Sequence, residues 1–232
     1  MNALAFVPAK GYSARLSSKN TREVGGVPLW RRAADVGRQA LGLGLVQTVA
    51  VSTDDPGIYS AARDLPDIEA WTRPNYPNIH DAEWGRKSVA DVLRFHFAAA
   101  RWEERSRKWD MVCVLWPTSP LRTLRHLIES RLLLEDGWDG VLSVVPFCPS
   151  VTRALVVETD GEIGRADSAK WEGEFWRHDG TALWVRSGVV LKGGDFYTGR
   201  MRAYPINPEE SVDVDTDLDL ILAEALWRRS TP

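Results

Sequence analysis

The chain has 232 residues, 44% hydrophobic and 26% charged, a balance that suits one large domain with a real core. Its net charge of −3 offers no field for nucleic acid or an anionic membrane surface. No apolar run approaches the ~20 residues of a membrane span.

The opening stretch MNALAFVPAKG lacks a charged leader and a long apolar region, so it is read as a first buried strand and not a signal peptide. VPLWRRAADVGRQALGLG has helical spacing and ends in glycines. LVQTVAVSTDD is a second strand running into acids, and PGIYSAARDLP a short helix opened by Pro56. IEAWTRP is a third strand. GRKSVADVLRFHFAAARWEERSRK is the longest helix, with Val89, Val92, Leu93 and Phe97 on one side. WDMVCVLWPTS is apolar throughout, as a central parallel strand should be, and LRTLRHLIESRLLLEDG is the next helix. After GVLSVVPF the pattern changes, and residues 147–185 read as an irregular excursion. YPINPEESVDVDT returns to the sheet and DLDLILAEALWRR closes as a helix. The expectation is a single α/β domain over 1–232 with a mainly parallel sheet and one smaller insertion.

Eleven tryptophans are read as core and interface packing. Cys113 and Cys148 lie in apolar contexts, which suits a reducing cytoplasm. The histidines His80, His96, His126 and His178 show no metal-ligand spacing.

Four stretches can carry chemistry. The loop PAKGYSARLSSKN follows the first strand and holds Lys10, Ser13, Arg15, Lys19 and Asn20. A cationic, hydroxyl-rich loop at the carboxyl end of a parallel sheet is where α/β proteins hold phosphates, although alone it also fits a solvated basic loop. VSTDD is read first as a capped helix start. LWPTSPLR uses two prolines to fix a turn that presents Thr118, Ser119 and Arg122. Asp213 and Asp215 alternate with valine, so an extended segment turns both carboxylates one way. Neighbouring carboxylates repel unless a cation compensates, and hard oxygen donors in this pattern suit Mg²⁺. Asp217 and Asp219, at the following helix start, are read as capping acids. Together these parts can position and neutralise a nucleoside triphosphate for in-line attack.

The order of PAKGYSARLSSKN, VSTDD, Arg73-Pro74, PTSPLR, SVVP, RHDGTALW and SVDVDTDLDLILAE resembles that of the CMP-sialic acid synthetases, or acylneuraminate cytidylyltransferases, over nearly the whole chain. The resemblance implies a Rossmann-like nucleotidyltransferase fold and a homodimer, with the insertion acting as a small dimerisation subdomain. It implies CTP and Mg²⁺ as reactants, a small acidic acceptor, and release of pyrophosphate. By resemblance, Lys19, Asp213 and Asp215 are catalytic, the two aspartates also holding the metal. Lys10, Ser13, Arg15, Asn20, Arg73 and Asp81 then face the nucleotide. Trp116, Thr118, Ser119, Arg122, Arg177 and Asp179 face the acceptor.

The chain departs from the family pattern at Lys10, Tyr12, Ala14 and Arg15 in the first loop. It departs again at Trp116, where the family has glutamine, and at Asp179, where it has asparagine. An indole has one donor and no acceptor, so changes on the acceptor side imply an acid other than N-acetylneuraminate. A 3-deoxy sugar acid or a phosphonate are the alternatives within this chemistry. A nucleotide-binding protein without turnover is the alternative outside it.

Overall fold

A computed structural model describes residues 1–76, 87–102, 109–134, 136–147, 155–157, 163–165, 174–193 and 195–230. The core is a seven-stranded sheet built on β1 (Ala3–Pro8). On one side of β1 lie β4 (Thr48–Thr53) and then β5 (Glu69–Thr72). On the other lie β6 (Met111–Val114), β10 (Trp176–Arg186), β7 (Gly140–Pro146) and β11 (Met201–Pro205), in that order. β1, β4, β5 and β6 pair in parallel, as does β11 with β7, whereas β10 runs antiparallel between β6 and β7. Every residue of β1, β4 and β6 is buried, which explains their lack of charged residues: helices cover both faces.

One face packs on α1 (Leu29–Gly42), α2 (Pro56–Arg63) and α4 (Leu124–Leu132) through Ala33, Ala34, Ile58, Ala62 and Leu127. The other packs on α3 (Val89–Trp102) and α5 (Ser187–Leu191) through Val92, Leu93, Phe97 and Val190. A hairpin, β2 (Glu23–Val24) with β3 (Val27–Pro28), precedes α1. Strands β8 (Leu155–Val157) and β9 (Ile163–Arg165) form a separate two-stranded sheet. The last helix, α6 (Asp217–Ser230), packs Ala223 with Leu16, Val24, Leu29, Val212 and Val214.

Two expectations are corrected. Trp176–Arg186, inside the stretch assigned to the excursion, is instead a strand of the main sheet. Its outer half is polar and partly exposed, so its sequence hides the buried run Thr181–Val185. The Asp213–Asp215 segment is not a strand. The ladder ends with β11, and Asn207 then caps a 3-10 turn at Pro208–Glu210 by accepting from the Glu209 N–H at 3.0 Å. Ser211 is extended after it, and Val214 donates its N–H to the Thr118 carbonyl at 2.8 Å. The alternation survives without a ladder: Val212 and Val214 face the core.

In this strand order β1 is flanked by β4 and β6, so the loops leaving β1 and β6 lie side by side at the carboxyl end of the parallel strands. Ligands of open α/β sheets sit in a crevice outside those ends.

Candidate active site

The loop after β1 builds one wall of this crevice. Asp54, at the end of β4 and 2% exposed, accepts the Gly11 N–H at 2.7 Å on one carboxylate oxygen. Its other oxygen accepts from the Asn75 amide at 2.7 Å. Asn20, also buried, donates from its side-chain amide to the Lys10 carbonyl at 2.7 Å. Ser18 takes a left-handed backbone with φ +50°, starting the 3-10 turn Lys19–Thr21. The loop is therefore shaped from within, while its cations gather on one side. Burial first, then the charges of Arg73, Lys19 and Arg15, holds Lys10 below the usual lysine range, although Asp54 opposes this. Arg73 is 6% exposed, its guanidinium pushed down by burial, and its Nε has no hydrogen-bond partner among the described residues. Ser13 is half-buried in the same loop.

The Asp213–Asp215 segment forms the facing edge. Asp215 is ion-paired with Lys19 at 2.8 Å and with the exposed Arg15 at 2.7 Å. Arg15 thus brings a second positive charge to this edge. Partial burial of the Asp213 carboxyl, together with the charge of Asp215, raises it above the usual carboxylate range. Hydrogen bonding by Thr118 and the charges of Lys19 and Arg177 pull the other way. The acids behind serve the helix: Asp219 accepts from the Thr216 N–H at 2.7 Å and the Asp215 N–H at 3.0 Å, and Asp217 pairs with Arg22.

The turn after β6 divides its residues between surface and interior. Thr118 reaches Asp213, and Arg177 lies close enough to act on the same carboxyl. Three expected acceptor contacts turn inward. Arg122, 5% exposed, donates to the carbonyls of Thr181 at 2.5 Å, Gly180 at 2.7 Å and Trp116 at 2.8 Å. Burial pushes its guanidinium down to about 10, with the nearby Asp179 opposing. Asp179 is 2% exposed and accepts from the Ser143 hydroxyl at 2.5 Å and from the Thr181 hydroxyl at 2.5 Å. Ser119 is buried and donates to the Asp179 carbonyl at 3.2 Å. These residues clamp the turn onto a bulge in β10, where the register against β7 shifts between His178 and Leu183. Gly180 is required there: its φ is +82°, and a Cβ would lie 2.7 Å from the Ser119 Oγ.

Trp116 stays half-buried at the crevice, edge-on to His178 and Phe196. Asp81 and Cys148 fall outside the described residues. Cys113 is a buried free thiol, and burial raises its pKa strongly. VSTDD holds two roles that the sequence reading merged. Asp55 caps α2 by accepting from the Gly57 and Ile58 N–H groups at 2.8 and 3.0 Å, while Asp54 shapes the loop after β1. The signal for the second role is the doubled acid, since one cap needs one carboxylate.

No protein-family model matches the chain. It is 27% identical to the N-acylneuraminate cytidylyltransferase A of Danio rerio over 95% of this chain and 49% of that protein. It is 27% identical to the CMP-N,N'-diacetyllegionaminic acid synthase of Legionella pneumophila over 97% of this chain and 96% of that one. The chain is a divergent relative of the acylneuraminate cytidylyltransferases. It spans about half the length of the fish enzymes and nearly all of the Legionella one.

Solved structures show that this cytidylyltransferase relative shares the nucleotidyltransferase fold. A CMP:2-keto-3-deoxy-manno-octonic acid synthetase complexed with CTP superposes with TM-score 0.66 at 18% identity, covering 99% of both chains. A 4-diphosphocytidyl-2C-methyl-D-erythritol synthase superposes with TM-score 0.70 at 14% identity, covering 97% of this chain and 98% of that one.

Proposed function

We propose that the protein is a cytidylyltransferase that attaches CMP from CTP to a small sugar acid of the nonulosonic class and releases pyrophosphate. The observation that carries this reading is the Lys19–Asp215 pair, with Arg15 beside it, which ties the cationic loop after β1 to the carboxylate edge. Lys10, Arg15, Lys19 and Arg73 gather more positive charge than Asp54 and Asp215 offset, and a triphosphate supplies the balance. Lys19 is then placed to stabilise charge on the α-phosphate and leaving group.

The donor set fits Mg²⁺. Asp213 and Asp215 offer two hard carboxylates, and the described residues contain no cluster of three or more acidic, histidine or cysteine ligands. Mg²⁺ takes one or two carboxylates and fills its shell with water and phosphate oxygens. When bound, it would neutralise phosphate charge. Asp213, with its raised pKa, would hold a proton more readily than an ordinary aspartate and is placed to take one from the acceptor hydroxyl. Arg177, beside Asp213, would meet the acceptor's carboxylate.

A homodimer in the cytoplasm belongs to the same reading and draws on the resemblance. Equilibrium sedimentation checks the dimer. No helix among the described residues is long and apolar enough to cross a membrane.

A second reading has one observation in its favour. Asp215 is already met by two cations, so the aspartate pair can persist without a metal, as in a nucleotide-binding protein without turnover. Pyrophosphate release from CTP and Mg²⁺ separates the two. The panel is N-acetylneuraminate, N,N'-diacetyllegionaminate, pseudaminate, 2-keto-3-deoxy-manno-octonate and a phosphonate. Release with at least one sugar acid supports the transferase, release with the phosphonate alone moves the acceptor class, and silence with all five refutes turnover.

A further inference from the structure

His178 stands beside the proposed acceptor side. It follows Arg177 on β10, and its ring lies 5.0 Å from that of Trp116 at an interplanar angle of 71°. Trp116 in turn precedes the Pro117–Thr118 step whose threonine reaches Asp213. The imidazole is oriented from its other side: Nδ1 is 2.9 Å from the Tyr197 hydroxyl. Tyr197 sits on a turn fixed by Asp195, whose side chain accepts the Tyr197 N–H at 2.8 Å. Phe196, 6% exposed, packs edge-on against Trp116 and closes the back of the group.

One polar atom remains. The Nε2 of His178 is shielded from solvent and has no hydrogen-bond partner among the described residues. Buried polar atoms in native folds are satisfied, so an unpaired one beside a ligand crevice marks a position for a ligand atom. Burial, with Arg122 and Arg177 adding to it against Asp179, holds the ring below the usual histidine range. It is therefore an uncharged imidazole at neutral pH. An uncharged ring is a poor partner for a carboxylate, which is left to Arg177, and a good one for a hydroxyl or amide.

Resting on the cytidylyltransferase reading, we infer that His178, oriented by Tyr197 and walled by Trp116, is a specificity-determining contact for an uncharged hydroxyl or acylamino substituent of the acceptor acid. This gives Trp116 a role without a hydrogen bond: its indole face and edge fix the ring that reads the substituent. A site built to hydrogen-bond a polar substituent discriminates against acids that lack it, because the protein atom is then left unpaired.

The test is steady-state pyrophosphate release with N-acetylneuraminate, N,N'-diacetyllegionaminate, pseudaminate and 2-keto-3-deoxy-manno-octonate. Wild type is compared with His178→Ala, His178→Gln and Tyr197→Phe. His178→Ala is expected to raise the acceptor KM about tenfold or more for the preferred acid, the scale of one lost hydrogen bond of this kind. It should narrow the kcat/KM ratio between preferred and poorest acid by a similar factor while leaving the CTP KM within about twofold. His178→Gln, which keeps a polar atom at this reach, should recover part of the loss, and Tyr197→Phe should fall between. If His178→Ala does not fold, the glutamine variant carries the test. Unchanged acceptor KM and unchanged acid ratios would overturn this inference alone. Silence of the wild type with all four acids would overturn the transferase reading itself and the inference with it.

Discussion

The two walls of the crevice use the same side-chain chemistry to opposite ends. In the loop after β1, Lys10, Arg15, Lys19 and Arg73 outnumber their acids, and the backbone is held by Asp54 and Asn20 behind them. Where the turn after β6 meets β10, Arg122 and Asp179 are the buried charged groups; Arg122 spends Nε and Nη2 on three carbonyls and Asp179 accepts from two hydroxyls, with Arg122 Nη1 alone unpaired among the described residues. A guanidinium in a polar loop near a ligand crevice can therefore be a ligand contact or a fastening. The deciding feature is whether buried carbonyls already fill its donors.

The contrast can be broken at either wall. Asp215→Asn should cost the most, lowering turnover by roughly 10³-fold or more while the thermal midpoint stays near wild type, because in the proposed function it removes one of the two carboxylates that would hold the metal. Lys19→Ala should follow at roughly 10²-fold in turnover, again with the fold intact by circular dichroism. Arg122→Met should reverse the pattern. Leaving several buried carbonyls without donors should cost about 3 kcal/mol, a fall of roughly 6–12 °C in Tm for a chain of this size, and calorimetry reads it directly. If Arg122→Met kept its Tm and lost acceptor affinity instead, the inward assignment of this wall would be wrong.

A smaller effect tests the buried scaffold beneath. His96, 8% exposed, bonds Ser52 at 2.8 Å, and burial first, then Arg73, pushes it down to about 3. Its folded pKa lies below the unfolded value, so the unfolded chain takes up the proton first as pH falls. The contribution is complete above about pH 6.5 and is lost as pH drops toward 3, at up to about 1.4 kcal/mol per pH unit. Urea titrations between pH 7 and 4.5 should show that slope, and His96→Gln should flatten it.

Much of this was legible in the sequence. ALAFVP and MVCV announced two-sided burial through unbroken apolar runs, and each pairs in parallel with a neighbour. The valine–aspartate alternation gave the inward facing of Val212 and Val214 correctly, even though no ladder forms there. What stayed hidden was tertiary. The bulge that buries Asp179 depends on β10 lying between β6 and β7, and nothing local in RHDGTALW states that placement. The Lys19–Asp215 contact joins residues 196 positions apart, so the cation that meets Asp215 could not be identified from its neighbours in sequence. Asp54 was read as part of a helix cap because the cap is a local pattern, whereas its ties to Gly11 and Asn75 are not.

The central claim is that the loop after β1 and the Asp213–Asp215 edge form one site for CTP with a divalent cation. Thermal unfolding in the presence of CTP, Mg²⁺ or both measures this directly. CTP with Mg²⁺ at about 100 times Kd should stabilise the wild type by about 2.7 kcal/mol. CTP alone should do less, and the added effect of Mg²⁺ should vanish in the Asp213→Asn/Asp215→Asn double variant. An equal shift with and without Mg²⁺, or one that survives in the double variant, would contradict the account.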